Sequence, residues 1–211
     1  MRLALIDYHA GNLTSVKKAF AALGADLFVP GSPAELRQAA ALVVPGVGHF
    51  AATRALTSDW VDAIRAGVDA GRPLLGICLG MQWLFEGSEE APESAGLGVL
   101  AGQCYRLRSS ETSTLSLETS VKIPHVGWNA LDIRRRDSIV EGVEAGSQVY
   151  FTHSFVAPLT GDTVAVTEHG QPFAAIVQRA HIAGVQFHPE KSGEVGLTIL
   201  RNFLRLATSQ R

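Results

Sequence analysis

The sequence predicts an α/β protein with a mixed, mainly parallel central sheet flanked by helices and an antiparallel, β-rich second half. Two observations lead to this prediction. About the first ninety residues alternate continuous apolar runs with helical patterns, which is typical of parallel strands buried on both faces. The later segments alternate apolar and polar residues between turn signals, as antiparallel strands do. Because no long linker or repeat interrupts the chain, we expect a single domain over 1–211.

The elements of the first half follow from apolar periodicity and from helix signals. Asn12 predicts the start of a helix with regularly spaced apolar positions, and Gly24 predicts its end. The run Ser32-Pro33-Ala34-Glu35 is a capping box with proline at the first helical position, so a second helix is expected there. Strands are predicted at 3–7, 27–29, 41–44 and 73–78, and further helices at 60–70 and 81–85.

The second half is predicted to be rich in strands. Alternating segments lie at 98–107, 129–133, 148–151, 163–168, 173–178 and 182–187. The stretch 109–120 is rich in Ser and Thr without periodicity, so we expect a mobile surface loop. An amphipathic helix is predicted over 193–207. Cys104, Trp60 and Trp83 fall within strand-like or helical patterns, and we expect them in the core.

Composition disfavours several classes of function. The formal net charge of −2 provides no basic surface for nucleic acid or an anionic membrane. No apolar run approaches the roughly 20 residues that a membrane-spanning helix needs, and the first residues do not form a signal peptide. Two cysteines make no disulfide framework, so a reducing, cytoplasmic location is expected. No His, Cys, Asp and Glu set has compact metal-ligand spacing, and we predict neither a metal nor a cofactor.

The most informative stretch is Gly76-Ile77-Cys78-Leu79-Gly80, which joins an apolar run to a helical pattern. A strand that turns sharply into a helix needs flanking glycines, because its corner residue has a strained backbone. Such a corner would present the Cys78 thiol at the end of the sheet. There the helix dipole favours the thiolate, and free N–H groups can bind an oxyanion. Taken alone, the pentapeptide is more simply a buried cysteine in a turn, since free cysteine is among the most buried residue types.

A second motif, His188-Pro189-Glu190, lies about a hundred residues downstream and favours a catalytic role for Cys78 over a structural one. Proline pushes His188 into an extended conformation, where residues two apart point to the same side. Glu190 can then orient the His188 ring while the ring exchanges protons with the thiol. A strand end followed by a turn would explain this tripeptide alone. The two motifs together favour a Cys-His-Glu triad.

With these motifs the chain resembles the class I, or triad, glutamine amidotransferases, from its first strand to its last helix. Five further motifs are similar to the members of the family that act in histidine biosynthesis. They are Asp7-Tyr8 with Gly11-Asn12-Leu13, Pro45-Gly46-Val47-Gly48, Pro124-His125-Val126-Gly127-Trp128-Asn129, Tyr150-Phe151 with His153-Ser154, and Gln186-Phe187-His188-Pro189-Glu190-Lys191-Ser192. The resemblance implies the flavodoxin-like fold of that family.

The resemblance implies a role for each matching residue. Cys78 would attack the side-chain carboxamide of glutamine, His188 would transfer protons, and Glu190 would fix His188. The backbone N–H groups of Val47 and Leu79 would form the oxyanion hole. Substrate contacts are implied for Gly46, Gln82, Glu90, His153, Ser154 and Phe155, with Glu90 suited to the ammonium group of glutamine.

A partner is implied as well. The ammonia would pass to a separate synthase chain, which is a (βα)₈-barrel cyclase, and the two chains would form a heterodimer. A loop at 124–129, with Pro124, Trp128 and Asn129, would face that partner, and Lys191 would support the interface. We hypothesise that hydrolysis is weak in the isolated chain and rises when the loaded partner docks.

Two positions depart from the family pattern. His9 stands where glycine is expected, which puts the local turn in doubt, and Phe155 replaces a tyrosine. The other histidines are expected to be structural or surface groups rather than ligands; they are His49, His125, His169 and His181.

Other functions remain open at this stage. The chain could be an amidotransferase subunit for anthranilate or pyridoxal phosphate synthesis, or a cysteine hydrolase or peptidase of similar fold. It could also be a partner-binding module without catalysis. The complete Cys78, His188 and Glu190 set argues against the module, and the motif at 124–129 argues against a peptidase.

Overall fold

A computed structural model describes residues 2–108 and 121–209, and the loop predicted at 109–120 lies outside them. The strands in these ranges are β1 (Arg2–Leu5), β2 (Asp26–Phe28), β3 (Ala41–Gly46), β4 (Leu74–Cys78), β5 (Gly87–Ser88), β6 (Gln103–Arg106), β7 (His125–Ala130), β8 (Asp132–Ile133), β9 (Gln148–His153), β10 (Phe155–Val156), β11 (Thr163–His169), β12 (Gln171–Arg179) and β13 (Ile182–Val185). The α-helices are α1 (Leu13–Ala22), α2 (Ser58–Asp69), α3 (Leu79–Trp83) and α4 (Gly193–Ser209). Short 3₁₀ helices span Pro33–Gln38, Phe50–Ala55, Ser138–Val140 and Pro189–Lys191.

One large sheet organises the described residues, with its strands in the order β2-β1-β3-β4-β13-β12-β11-β8. The strands from β2 to β13 pair in parallel, and those from β13 to β8 pair antiparallel. Two smaller sheets pair β10-β6-β5 and β7-β9. The predicted α/β class with a mainly parallel sheet is therefore confirmed, as are the antiparallel strands of the second half.

Alternate residues of the central strands pack against two separate helical layers. Leu3 and Leu5 of β1 belong to one buried cluster, which also contains Phe20 of α1 and Phe203 of α4. Ala4 of β1 belongs to the other cluster, with α2 and α3. Because neighbouring side chains of a strand point to opposite faces, a strand buried on both faces reads as one apolar run. The continuous runs seen in the sequence have this cause.

The local helix signals are only partly correct. The Asn12 side chain caps α1 by accepting a hydrogen bond from the N–H of Ser15, as predicted. The capping box is wrong in detail, because the Ser32 side chain makes no cap hydrogen bond. The Glu35 carboxylate instead accepts hydrogen bonds from the Gly31 N–H and the Ser32 hydroxyl, and the helix is 3₁₀ rather than α.

Three predictions for the second half need correction. The segment at 182–187 was expected to be antiparallel, but β13 also pairs in parallel with β4, because all four of its residues are buried and it fills the gap between β4 and β12. The segment at 98–107 is a strand only over Gln103–Arg106, since Gly98 and Gly102 have positive φ. The stretch at 124–129 is mostly strand rather than loop, because β7 pairs with β9 along its whole length.

Burial agrees with the sequence in most places. Cys104 and Trp83 are buried in the core as predicted, whereas Trp60 is only partly buried at its edge. None of the described helices combines the length and the apolarity needed to cross a bilayer.

Candidate active site

The chain turns from β4 into α3 at Cys78, whose φ of 53° and ψ of −109° are strained for a residue with a side chain. The flanking glycines are required by contact. A Cβ on Gly80 would lie 1.8 Å from the carbonyl oxygen of Val44, and one on Gly76 would lie 2.6 Å from that of Gly80. The sharp corner inferred from the sequence is therefore present, and it places the Cys78 side chain at the carboxyl end of the sheet.

The neighbouring strand β13 leads into the segment that carries His188. Its Val185 pairs with Ile77 of β4, so the residues that follow each strand lie side by side. His188 is then held by its N–H, which donates to the carbonyl oxygen of Tyr150 at 2.9 Å, and by its own carbonyl, which accepts from the Ser192 hydroxyl at 2.7 Å. The backbone of His188 is thus fixed beside the cysteine corner.

Glu190 holds the far side of that ring. The His188 Nδ1 atom lies 2.8 Å from Oε1 of Glu190, and both side chains are 2% exposed. His188 Nε2 has no hydrogen-bond partner among the described residues. Burial by itself would lower the pKa of His188, but the interactions with Cys78 and Glu190 outweigh it and raise this pKa to about 10. The imidazole therefore carries its proton at neutral pH, which suits it to pair with a thiolate.

A pocket of about 200 Å³ opens in front of Cys78. Its lining includes every residue expected to contact substrate except Gly46; the lining residues are Gly48, Cys78, Leu79, Gln82, Glu90, Pro124, Thr152, His153, Ser154 and Phe155. Gly46 instead pairs with Cys78 beneath the corner, and a Cβ on it would lie 1.9 Å from the Tyr8 hydroxyl. Gly48 and Thr152 were missed, because Gly48 carries no signal beyond its place in a motif and Thr152 carries none.

The polar groups of the pocket are held by the protein around it. The Glu90 carboxylate is half-buried and accepts the Phe50 N–H at 2.7 Å, which leaves its other oxygen for a cation. The Gln82 Nε2 donates to the carbonyl oxygen of Phe155 at 2.8 Å. Burial, followed by the nearby His125, lowers the pKa of His153 well below its usual value, so that this wall of the pocket is uncharged.

The two N–H groups expected to form the oxyanion hole, those of Leu79 and Val47, differ in their surroundings. Leu79 begins α3, where the first N–H groups of a helix have no partner within it. The Val47 N–H donates to the carbonyl oxygen of Ala10 at 3.1 Å, although the side chain of Val47 is 38% exposed. In this conformation Val47 is thus engaged elsewhere, and its expected role needs the peptide to turn.

Two of the residues expected at the partner interface, Trp128 and Lys191, lie with Val126 and Tyr150 on one surface, which we call the β7–β9 surface. Val126 and Trp128 are 57% and 56% exposed. Tyr150 packs edge-on against Trp128, and the Lys191 ammonium lies 5.6 Å from the centre of the Tyr150 ring. Asn129 is partly exposed, and its amide donates to the carbonyl oxygen of Glu168 at 2.9 Å. Pro124 lines the pocket as well as this edge.

The remaining histidines make structural contacts. His125 is buried and stacks on His169 with 4.0 Å between the ring centres. The ring of His181 bonds to the carbonyl oxygen of Val68, and exposed His49 caps a 3₁₀ helix by accepting from the Ala51 N–H. His9 has a φ of 62°, so it occupies the left-handed region that the expected glycine would favour. No group of three or more His, Cys, Asp or Glu side chains within residues 2–108 and 121–209 could hold a metal ion.

Gln186 is a site residue that the sequence did not single out. Its Nε2 lies 3.7 Å from Cys78 Sγ, and its side chain is fully buried. The signal that could have found it is its place two residues before His188, because residues two apart in an extended segment point to the same side.

Comparison with known proteins agrees with this geometry. The family model described as glutamine amidotransferase class-I matches residues 4–207. The imidazole glycerol phosphate synthase subunit HisH of Geobacillus kaustophilus is 44% identical over 212 residues, which is 99% of this chain and 98% of that protein. The subunit of the same name from Syntrophotalea carbinolica is 42% identical over 205 residues, which is 95% of this chain and 98% of that protein.

Solved structures support the fold. A crystal structure described as a glutamine amidotransferase aligns with a TM-score of 0.72 at 22% identity, covering 97% of this chain and 98% of that one. The structure of PurLQS from Thermotoga maritima aligns through one of its chains with a TM-score of 0.70 at 18% identity, covering 97% of this chain and 97% of that one.

Proposed function

This chain belongs to the class I glutamine amidotransferases, and we propose that it is the glutaminase subunit of an imidazole glycerol phosphate synthase. The observation that carries the proposal is the buried His188–Glu190 pair beside a strained Cys78. The HisH relatives, which match nearly the whole chain, identify the enzyme and the pathway, histidine biosynthesis. One domain over 1–211 and a cytoplasmic location stay predictions.

The proposed reaction uses the three triad residues in turn. The Cys78 thiolate attacks the carboxamide carbon of glutamine, and the carbonyl electron pair moves onto its oxygen. His188 gives its proton to the departing ammonia, which leaves a thioester. The neutral His188 then takes a proton from water as that water attacks the thioester, and the products are glutamate and the restored thiolate. Glu190 keeps the His188 ring oriented throughout.

The pocket supports glutamine as the substrate. Its volume of about 200 Å³ suits a small amino acid, and the half-buried Glu90 carboxylate offers a partner for the α-ammonium group. Gln82, His153, Ser154 and Phe155 are proposed to hold the rest of the molecule. The developing oxyanion would be bound by the Leu79 N–H and, after its peptide turns, by that of Val47.

The ammonia must reach a second chain, because a glutaminase of this kind supplies ammonia to the chain that carries the synthase chemistry. We propose that the partner is a (βα)₈-barrel cyclase that converts a phosphoribulosyl formimino intermediate into imidazole glycerol phosphate and an aminoimidazole carboxamide ribonucleotide. The exposed apolar side chains of the β7–β9 surface support docking there, since aromatic residues dominate interface energetics. Lys191 would lie at the edge of that contact.

A glutamine-derived diazo ketone tests the amidotransferase chemistry directly. Such a reagent should label the chain covalently at Cys78, and mass spectrometry should find no label in Cys78→Ala. Cys78→Ala is a suitable control because it retains the other cysteine, Cys104, whose thiol is fully buried. Absence of labelling, even with the partner chain present, would refute the proposal.

The pathway needs a separate experiment. Expression of the chain should restore growth of a histidine auxotroph that lacks its glutaminase subunit, and Cys78→Ala should not. Complementation of an anthranilate or pyridoxal phosphate auxotroph instead would assign the chain to one of the other amidotransferase pathways.

A further inference from the structure

A buried glutamine side chain contacts the sulfur of the candidate nucleophile. Gln186 follows β13 directly, and its N–H donates to the carbonyl oxygen of Ala175 at 2.9 Å, which fixes its backbone. Its side chain is fully buried, and its Nε2 lies 3.7 Å from Cys78 Sγ. A buried amide needs partners for its donors, and here one donor faces a sulfur.

The orientation of this amide is set by a chain of hydrogen bonds that ends on a backbone carbonyl. A carbonyl oxygen can only accept, so the group of Gln82 that lies 2.8 Å from the Phe155 oxygen must be its NH₂. The same NH₂ lies 3.2 Å from the side-chain oxygen of Gln186. Gln186 must therefore present its oxygen to Gln82 and its own NH₂ to Cys78.

The N–H donor of Gln186 matters because it faces the sulfur of Cys78. A thiol sulfur is a weak acceptor, whereas an ionised acceptor forms hydrogen bonds that are shorter and roughly twice as strong. An N–H aimed at the sulfur thus stabilises the thiolate more than the thiol. The carbonyl oxygen of Thr152, 4.0 Å from the sulfur, cannot donate, so the Gln186 amide adds a donor to the interaction that His188 makes with Cys78.

We propose that Gln186 is a further catalytic residue, which donates an N–H to the Cys78 sulfur and stabilises its thiolate form. Gln82 acts through Gln186 as a positioning residue, because it holds the amide in the donating orientation. The same Gln82 lines the pocket, so the sulfur and the substrate site share one hydrogen-bond chain. This inference rests on the proposed function in that it takes Cys78 as the nucleophile.

The pH dependence of Cys78 alkylation by iodoacetamide tests this role on the whole chain. The rate follows the thiolate fraction and needs neither glutamine nor a partner chain. Burial raises the pKa of the Cys104 thiol, and Cys78→Ala gives the background rate. Gln186→Met keeps the length of the side chain but removes its N–H donor. In this variant we expect the pH at which alkylation reaches half its maximal rate (the midpoint) to rise by about one unit. Below the midpoint this corresponds to a roughly tenfold loss of thiolate.

Two further variants make the result specific. Gln186→Glu keeps an acceptor for the Gln82 amide but replaces the donor that faces the sulfur, so the midpoint should rise here too, even if Gln186→Met does not fold. Gln178→Met is the matched control, because Gln178 is equally buried and its amide contacts Ser138, Ile139 and Ala180 instead. Its midpoint should equal that of the unmodified chain.

The outcomes are distinct. Folded Gln186→Met or Gln186→Glu with an unchanged midpoint would overturn the proposal and reduce Gln186 to a packing residue. Failure of diazo ketone labelling together with a shifted midpoint would reject the glutaminase proposal but keep the Gln186–Cys78 interaction.

Discussion

The N–H of Val47 donates a hydrogen bond to the carbonyl oxygen of Ala10, with 3.1 Å between the two atoms. This N–H is one of the two donors proposed for the oxyanion hole, so the described conformation has one of them engaged elsewhere. Gly48 follows with a φ of 99°, which a glycine adopts without strain. The peptide before it can therefore turn without a side-chain clash, at the cost of one backbone hydrogen bond.

Partner dependence of the activity is the first prediction. Removal of one oxyanion donor lowers kcat by about 10²–10³-fold in comparable sites, so we expect a stimulation of roughly this size when the loaded partner docks. Glutamate release should be measured for the chain alone and for the complex. Equal turnover in the two would contradict the prediction.

Glu190→Gln should lower kcat by about 10²–10⁴-fold in the complex and leave KM nearly unchanged, because the His188 ring loses the carboxylate that orients it and stabilises its charge. Steady-state kinetics and a thermal unfolding curve check this. Glu141→Gln serves as the control, since Glu141 is exposed and pairs with Arg205 away from the pocket. A Glu190→Gln variant with full kcat would show that the pair does not act in the reaction.

Gly80→Ala should destabilise the chain by about 1–3 kcal/mol or more, because its methyl group would overlap the Val44 carbonyl oxygen at 1.8 Å. Urea unfolding measures the loss. Gly161→Ala is the matched control, as its methyl group would meet nothing within 4 Å. Equal stability of the two variants would argue against the tight corner.

Stability should fall as the pH is lowered from about 6.5 to about 4, because of two buried histidines. Burial lowers the pKa of His125 to about 4 and that of His153 well below 6.5, so the unfolded chain binds more protons in this range. His188 adds no slope there, because its pKa is raised and its stabilising effect is lost only as pH rises from about 6.5 through about 10. His125→Phe should flatten the decline, measured by urea unfolding at each pH. An equally steep decline of the unfolding free energy with falling pH in His125→Phe would show that His125 does not cause it.

Trp128→Ala should weaken partner binding by about 2 kcal/mol, or roughly thirtyfold, if Trp128 is an anchor of the interface. Isothermal titration calorimetry gives the Kd, and the thermal unfolding of the isolated chain should change little because the side chain is 56% exposed. Leu159→Ala, at a residue 49% exposed outside the β7–β9 surface, is the control. A Trp128→Ala complex of unchanged Kd would move the interface elsewhere.

Much of the site could be predicted because its signals are local. The glycines around Cys78 indicate a close approach, and the spacing of His188 and Glu190 indicates a shared side. Contacts that depend on distant segments could not be predicted. The substrate contact of Gly46 stays a prediction, and the sequence did not show that this glycine packs against Tyr8 beneath the corner. The partner contact of Asn129 also stays a prediction, and the sequence did not show that its amide bonds to the carbonyl oxygen of Glu168.

By itself, the sequence determined the order of most strands and helices and the strained corner at Cys78, because backbone strain and side-chain period are properties of neighbouring residues. It also predicted the triad of Cys78, His188 and Glu190. Only the tertiary structure decided that β13 runs parallel to β4, that the Val47 N–H is engaged by Ala10, and that Gln186 reaches the sulfur. Each of these depends on a contact between separate segments, and Gln82 and Gln186 are 104 residues apart. Local patterns do not specify such contacts, because the packing of the whole sheet brings the separate segments together.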